Sequence, residues 1–262
     1  MRAGLAAGLR PQAVFVVDEP SGATEPGGLD RARVLAGLGD APVYTVTPRV
    51  AAKLSTLESV SPLMAVFPLP EAPALGELRS PARAGASAGA LLAVYADHLA
   101  DPGNMGTLVR AAAAFAAAAL IASPGSVDLF SPKVVRASMG AVFALPLYRD
   151  VPLERAAREI GVEAIYGLVA HGGRPLAVVR PADATLLCVG AERAGLSDDV
   201  AARVDELVTI PLAGAGDAAV ESLNAGVAGA IALYEFTRRR RERGGGAADQ
   251  GAGPSGPAPN KE

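Results

Sequence analysis

Short apolar runs alternate with amphipathic segments along most of the chain. Residues 13–19 (AVFVVDE) and 91–99 (LLAVYADHL) are rich in β-branched and large apolar side chains, which is typical of strands. Residues 153–170 combine a helical pattern, LERAAREI, with a following apolar run. A helix is predicted over 105–119, where alanine dominates. Repeated strand–helix alternation predicts a parallel sheet with helices on both faces.

Shifts in composition divide the chain into four regions. Residues 1–70 predict a small α/β domain, including a helix over 28–40, and this domain begins without the strand expected before its first helix. Residues 71–90, rich in proline, glycine and alanine, predict a linker. Residues 91–243 carry the main α/β pattern, and residues 244–262 contain too few apolar side chains to pack, so we expect a disordered tail.

Composition limits the classes of protein that fit. Half of the 262 residues are apolar and 19% are charged, as in a folded globular protein. A net charge of -3 does not indicate that the whole surface binds nucleic acid electrostatically, although it is compatible with a local basic patch. Cys188 is the single cysteine, which excludes an internal disulfide framework and a cysteine-rich zinc site.

Targeting and membrane signals are weak. The longest uncharged apolar run, residues 111–122, is too short to span a membrane. The N-terminus lacks the apolar core of a secretory signal. We therefore expect a cytoplasmic protein that has no membrane partner.

Three loops in the main domain follow predicted strands, at the edge where parallel sheets bind ligands. They cover residues 100–106 (ADPGNMG), 189–197 (VGAERAGLS) and 210–214 (IPLAG), the last leading to 221–224 (ESLN). Their glycines allow a ligand to approach the backbone closely. None of the three has the spacing of a dinucleotide fingerprint or a P-loop. His98 and His171, the two histidines, do not form a metal site by themselves, so we expect no metal.

Together these loops resemble the motifs of a known family. The segments DPGNMGTLVRAA, VGAERAGLS and IPLAG…ESLNAGVAGAIALYE are similar, in order and spacing, to the three motifs of the SpoU (TrmH) RNA methyltransferases. The resemblance implies a SPOUT fold over residues 91–243, a parallel sheet whose C-terminal segment threads through a loop to form a trefoil knot. It also implies a homodimer, S-adenosylmethionine as cofactor, and methyl transfer to a ribose 2′-hydroxyl in RNA. Residues 1–70 loosely resemble the small RNA-binding domain of that family, which favours rRNA as the substrate.

The resemblance also implies a set of site residues. Arg110 matches the catalytic arginine of the family, where it would hold an RNA phosphate and stabilise the developing alkoxide. Arginine stays protonated in proteins, so whether Arg110 also accepts the proton is left open. The other implied catalytic residues are Asn104, Glu192, Ser222 and Asn224. The implied cofactor-binding residues are Gly190, Ile210, Leu223, Leu168 and Pro211.

Other interpretations compete with this one. Considered alone, Arg110 could equally be a helix residue in an ion pair. Glu192 could equally be a carboxylate that caps the next helix. The arginine run at 238–243 either contacts RNA phosphates or complements the dipole of its own helix. For the whole protein, the alternatives are a knotted RNA-binding protein without activity, a tRNA substrate in place of rRNA, and an unrelated α/β enzyme acting on a small molecule.

Overall fold

The computed structural model describes five stretches of the chain. They are residues 1–18, 38–55, 61–79, 91–213 and 221–245. The predicted helix over 28–40 falls largely outside these stretches, and the predicted disordered tail lies outside them from residue 246 onward.

The N-terminal residues form a small α/β unit. Strand β1 (Ala13–Val17) pairs in parallel with β2 (Val43–Val46) and antiparallel with β3 (Leu63–Val66). Two short helices accompany them, α1 (Arg2–Ala6) and α2 (Pro48–Leu54). The strand–helix–strand order predicted for residues 43–66 is therefore confirmed.

A seven-stranded parallel sheet forms the centre of the main domain. In sheet order its strands are β6 (Leu147–Tyr148), β5 (Ala119–Ala122), β4 (Leu91–Ala96), β9 (Ala184–Val189), β7 (Ala164–Leu168), β10 (Glu206–Thr209) and β8 (Arg174–Pro175). All six residues of β4 and of β9 are buried, as expected for central strands covered on both faces. The predicted parallel sheet is confirmed.

Helices cover both faces of this sheet. One face packs against α3 (Pro102–Ala114), α4 (Pro132–Ala137) and α7 (Ala225–Gly245). The other face packs against α5 (Leu153–Ile160) and α6 (Asp198–Ala201). Across the described part of the chain, no helix is both long enough and apolar enough to cross a membrane. The predicted trefoil knot involves the segment before α7, where residues 214–220 lie outside the described stretches, and it stays a prediction.

Helix α3 differs from the predicted helix over 105–119. It begins three residues earlier because the Asp101 carboxylate caps it, accepting a hydrogen bond from the Asn104 N–H at 2.7 Å, and because Pro102 suits the first helical position. It ends at Ala114, after which Ala116 has a positive φ of 54°. Alanine favours helices, but here Ala119 already belongs to strand β5.

Part of the predicted linker is ordered. Leu75–Arg79 forms a 3₁₀-helix, and both of its leucines are buried against the same cluster as Ile160 of α5. The Tyr148 hydroxyl donates a hydrogen bond to the Pro73 carbonyl at 2.8 Å. The first half of the predicted linker therefore packs on the main domain.

Two arginines near the end of α7 hold the helix to the amino ends of the central strands. Arg240 donates from Nη2 to the carbonyls of Leu91 at 2.8 Å and Ala182 at 3.0 Å. Arg243 donates to the Pro181 carbonyl at 2.6 Å and pairs with Asp183 at 3.1 Å. Burial lowers the pKa of Arg240 to about 10, so the guanidinium remains charged at neutral pH.

Replacing Arg240 by methionine tests this attachment. Arg240→Met keeps an apolar stem of similar length and removes the donors to two carbonyls, so we expect the free energy of unfolding to fall by about 1–3 kcal/mol. Urea denaturation measures the change. The neighbouring exposed Arg241→Met is the control and should leave the midpoint unchanged. Equal midpoints for both variants would show that the Arg240 bonds add nothing to stability.

Candidate active site

The ends of four strands bring the three predicted loops to one edge of the sheet. In the strand register, Ala96 of β4 lies beside Val189 of β9, which lies beside Leu168 of β7, and Leu168 lies beside Val208 of β10. The loops that follow β4, β9 and β10 therefore leave the sheet at the same level. This carboxyl edge is where open parallel sheets bind their ligands.

A hydrogen-bonded network joins one polar residue from each loop. Asn104 donates from Nδ2 to Glu192 Oε1 at 2.8 Å, and its Oδ1 accepts from Asn224 Nδ2 at 2.7 Å. Asn104 is only 8% exposed, so both sides of its amide are used in a largely buried position. The structure thus brings together three of the predicted catalytic residues.

Hydrogen bonds to the backbone at two helix starts hold Glu192 and Asn224 in position. Glu192 Oε1 also accepts from the Asp101 N–H at 3.2 Å, directly before α3. Asn224 caps α7, accepting from the Val227 N–H at 3.1 Å. The alternative in which Glu192 caps the helix after its own loop is wrong, because Ser197 caps that helix, α6.

Close packing of α3 on α7 makes the network possible. A Cβ added at Gly226 would lie 3.0 Å from the Asn104 carbonyl oxygen and from Thr107 Cβ. At Gly229, a Cβ would lie 2.5 Å from Leu108 Cδ1. Larger residues at these two positions would separate the helices and, with them, Asn104 and Asn224.

The loop after β9 folds back on itself at Gly190. Ala191 and Gly195 exchange two backbone hydrogen bonds, each 2.9 Å long, and Gly195 adopts a positive φ of 71°. A Cβ at Gly190 would lie 2.2 Å from the carbonyl carbon of Gly195, so only glycine fits there.

The remaining predicted cofactor-binding residues lie around this loop. Leu168 is buried at the end of β7, beside the end of β9. Half-buried Ile210 and exposed Pro211 follow β10, and half-buried Leu223 precedes α7. Gly190, Leu168 and Ile210 therefore occupy the ends of three neighbouring strands, where they offer main-chain groups and apolar side chains.

Arg110 stands apart from the network. It is exposed in the third turn of α3, about 12 Å along the helix axis from Pro102. Among the described residues its side chain has no hydrogen bond or ion pair, so the alternative of an ion-paired helix residue finds no support there. Ser222 is likewise exposed. These two predicted catalytic residues are accessible to a substrate, whereas Asn104 is not.

A buried carboxylate below the site was not among the residues predicted from the sequence. Asp97 is 1% exposed, its Oδ2 accepts from the Ser197 N–H at 2.7 Å, and its Oδ1 lies 2.7 Å from His98 Nδ1. Burial, with the Asp97 carboxylate adding to it, raises the pKa of Cys188. Asp97 thus ties the loop after β9 to the end of β4. The signal in the sequence was a single carboxylate at the end of an apolar strand.

Metal ligands are not gathered at this edge. Within the described stretches, no three histidine, cysteine, aspartate or glutamate side chains are grouped closely enough to hold an ion. The arrangement instead offers amide and carboxylate groups, a tight backbone turn and an accessible guanidinium.

Known proteins are similar to this chain in sequence and in fold. At 38% identity over 153 residues, the chain matches an uncharacterized tRNA/rRNA methyltransferase of Mycobacterium tuberculosis, with 57% of this chain and 46% of that protein covered. It is 36% identical over 156 residues to a 23S rRNA (uridine(2479)-2′-O)-methyltransferase of Streptomyces viridochromogenes, with 57% and 53% covered. The chain thus spans about half the length of these curated relatives.

Structural similarity extends further along the chain. The SpoU methyltransferase AviRb from Streptomyces viridochromogenes, solved in complex with AdoMet, superposes with a TM-score of 0.70 at 27% identity, covering 92% of this chain and 87% of that one. The model of the SpoU rRNA Methylase family matches residues 91–234, which contain all three loops of the candidate site. This chain belongs to the SpoU rRNA Methylase family.

Proposed function

We propose that the protein transfers a methyl group from S-adenosylmethionine to a ribose 2′-hydroxyl in RNA, with rRNA as the substrate, and that it works as a cytoplasmic homodimer. The hydrogen-bonded network of Glu192, Asn104 and Asn224 carries the proposal, because it joins all three family motifs at one edge of the sheet. The 2′-O-methyltransferase among the relatives supports the reaction and favours rRNA over tRNA.

The loops around Gly190 fit the proposed cofactor. S-adenosylmethionine supplies a methyl group on a positively charged sulfur, so its site requires neither a metal nor a phosphate-binding loop. The tight turn at Gly190 presents main-chain groups for its polar parts, while Leu168, Ile210 and Leu223 offer apolar side chains beside them. Pro211 completes the proposed cofactor-binding set.

Arg110 supplies the charge that the reaction requires. A ribose hydroxyl is a weak nucleophile at neutral pH, and its oxygen gains negative charge as it attacks the methyl carbon. Because Arg110 is exposed and without a partner among the described residues, its guanidinium is available to an RNA phosphate and to the developing alkoxide. Exposed Ser222, Glu192 and Asn224 orient the ribose, and buried Asn104 holds Glu192 and Asn224 in place.

An apolar stripe on α7 supports the proposed dimer. Val227, Ile231 and Tyr234 recur at helical spacing and are 44%, 38% and 53% exposed. The Tyr234 ring also contacts Phe115, just after the end of α3, at 5.9 Å between centroids. A second copy of the chain covering this stripe would bury it.

Gly190→Ala tests the cofactor site. The added Cβ must displace the backbone of Gly195, so we expect S-adenosylmethionine binding to be lost in isothermal titration calorimetry. Gly76→Ala is the matched control, because its Cβ would meet the Glu159 carbonyl oxygen at an ordinary 3.4 Å. Unchanged binding by Gly190→Ala would place the cofactor elsewhere. A wild-type chain that binds no cofactor would favour an RNA-binding protein without activity.

Arg110→Ala tests the catalytic role. We expect single-turnover methyl transfer to fall by about 10²-fold, because a charge that stabilises the transition state is removed. Cofactor binding and the unfolding midpoint should stay unchanged, since Arg110 is exposed and has no described partner. Arg110→Lys, which keeps a point charge, should recover part of the rate. Loss of stability and cofactor binding together would instead make Arg110 a structural residue.

Mapping the 2′-O-methylated nucleotide distinguishes rRNA from tRNA.

Ile231→Glu tests the dimer. A carboxylate in the middle of the apolar stripe should convert the dimer to a monomer, because the charge would be buried without a partner. Sedimentation equilibrium measures the mass of each form. Val50→Glu, at an exposed apolar residue on α2 of the N-terminal unit, is the control. A dimer that persists in Ile231→Glu would rule out this stripe as the interface.

A further inference from the structure

The arginine run of α7 borders a cavity on the edge of the sheet opposite the candidate active site. The cavity has a volume of about 500 Å³ and is lined by Arg180, Arg239, Glu242 and Arg243. It lies by the loop that precedes β9, whose Pro181 carbonyl is bonded to Arg243. The cavity therefore lies near the amino ends of β4 and β9. Gly190, at the candidate active site, follows the carboxyl end of β9.

Positive charge exceeds negative charge around this cavity. Among the described residues that line it, three arginines (180, 239 and 243) stand against one carboxylate (242), which leaves an excess of two positive charges. This excess contrasts with the whole chain, whose net charge is -3. The local basic patch that composition left open is therefore found at this edge.

The carboxylates are already engaged by individual arginines. Glu235 accepts from Arg238 at 2.6 Å and from Arg239 at 2.9 Å, and these guanidinium groups, Arg238 above all, lower its pKa to about 2. Glu242 is bonded to Arg238, and Asp183 is paired with Arg243. A negatively charged ligand would therefore meet arginines whose positions are set in advance.

Arg180 is the uncommitted cation among the described residues that line the cavity. It is exposed, and its guanidinium has no hydrogen bond or ion pair with any part of the chain that the structure describes. The adjoining loop is fixed, because Arg240 and Arg243 hold the carbonyls of Ala182 and Pro181. The cavity thus combines a fixed wall with an uncommitted guanidinium.

We propose that this cavity binds phosphate groups of the RNA backbone. Guanidinium groups match phosphate in geometry and charge. The four described lining residues are all charged and none of them is aromatic, so this lining suits the backbone of RNA and not the stacking of its bases. Six-residue β9 places the cavity about 20 Å from the loop at Gly190. The inference rests on the proposed function in taking RNA as the substrate, and it extends the RNA-binding surface to the amino edge of the sheet.

The test measures RNA binding directly, without turnover. Fluorescence anisotropy with a labelled single-stranded RNA should show an affinity about fivefold lower for Arg180→Ala than for the wild-type chain, and lower again for Arg180→Glu. The slope of log affinity against log salt should decrease by about 0.7 for each RNA phosphate that the variant no longer neutralises. S-adenosylmethionine binding, and the methyl-transfer rate at saturating RNA, should be unchanged.

Arg155→Ala serves as the matched control, because Arg155 is an exposed arginine on α5 that is paired with Glu159 within its own helix. It should bind RNA as the wild-type chain does. Equal affinity and salt slope in Arg180→Ala and wild type would overturn the proposal. A second result would also overturn it. If calorimetry shows that inorganic phosphate binds to the wild-type chain but not to Arg180→Ala, while both bind RNA with equal affinity, the cavity is a site for free phosphate and not for RNA. If the wild-type chain transfers no methyl group but Arg180→Ala still binds RNA more weakly, the proposed function fails and the RNA-binding role of the cavity stands.

Discussion

The buried amide of Asn104 is the interaction on which the candidate site depends. It bonds Glu192, 88 residues away, through its nitrogen, and Asn224, 120 residues away, through its oxygen. An amide is well suited to this position because one planar group donates and accepts at the same time. A carboxylate at the same position would repel Glu192, and an apolar residue would remove the bonds that hold Glu192 and Asn224 in place. The three loops must pack closely enough for these side chains to form hydrogen bonds. Gly226 and Gly229 of α7 allow this, because they let α7 approach α3 closely.

Two of the five candidate catalytic residues also bond to the start of a helix. Asn224 caps α7, and Glu192 accepts from the backbone in front of α3. The caps satisfy donors that every helix start leaves open, so the network forms without isolated polar groups in the core. Ser222 is exposed close to Asn224 in sequence, and Arg110 is exposed farther along α3. The site therefore combines groups fixed by folding with groups available to a substrate, as a reaction that depends on alignment requires.

The sequence was sufficient to predict the meeting of the three loops, because the strand–helix alternation of residues 91–243 implies a parallel sheet and parallel strands end at a common edge. It could not give the strand order, which places β9 between β4 and β7. The bounds of α3 were misjudged because alanine propensity extends past Ala114, whereas strand pairing takes residues 119–122. Asp97 was missed because a single carboxylate in a sequence does not show that two donors will surround it. The arginine run looks uniform in sequence, yet the 3.6-residue period directs Arg239 and Arg240 to different neighbours.

Helix α7 connects the two edges of the sheet. Its cap, Asn224, belongs to the network at the carboxyl edge, and its last turns carry the arginines at the amino edge. With 21 residues it is about 31 Å long, so it spans the distance of about 20 Å along β9 that separates the loop at Gly190 from the proposed backbone-binding cavity. Arg240 keeps the far end of this helix against β4, and Asn104 keeps its near end against α3. Any RNA that reaches both edges must therefore match a spacing that a single packed helix determines.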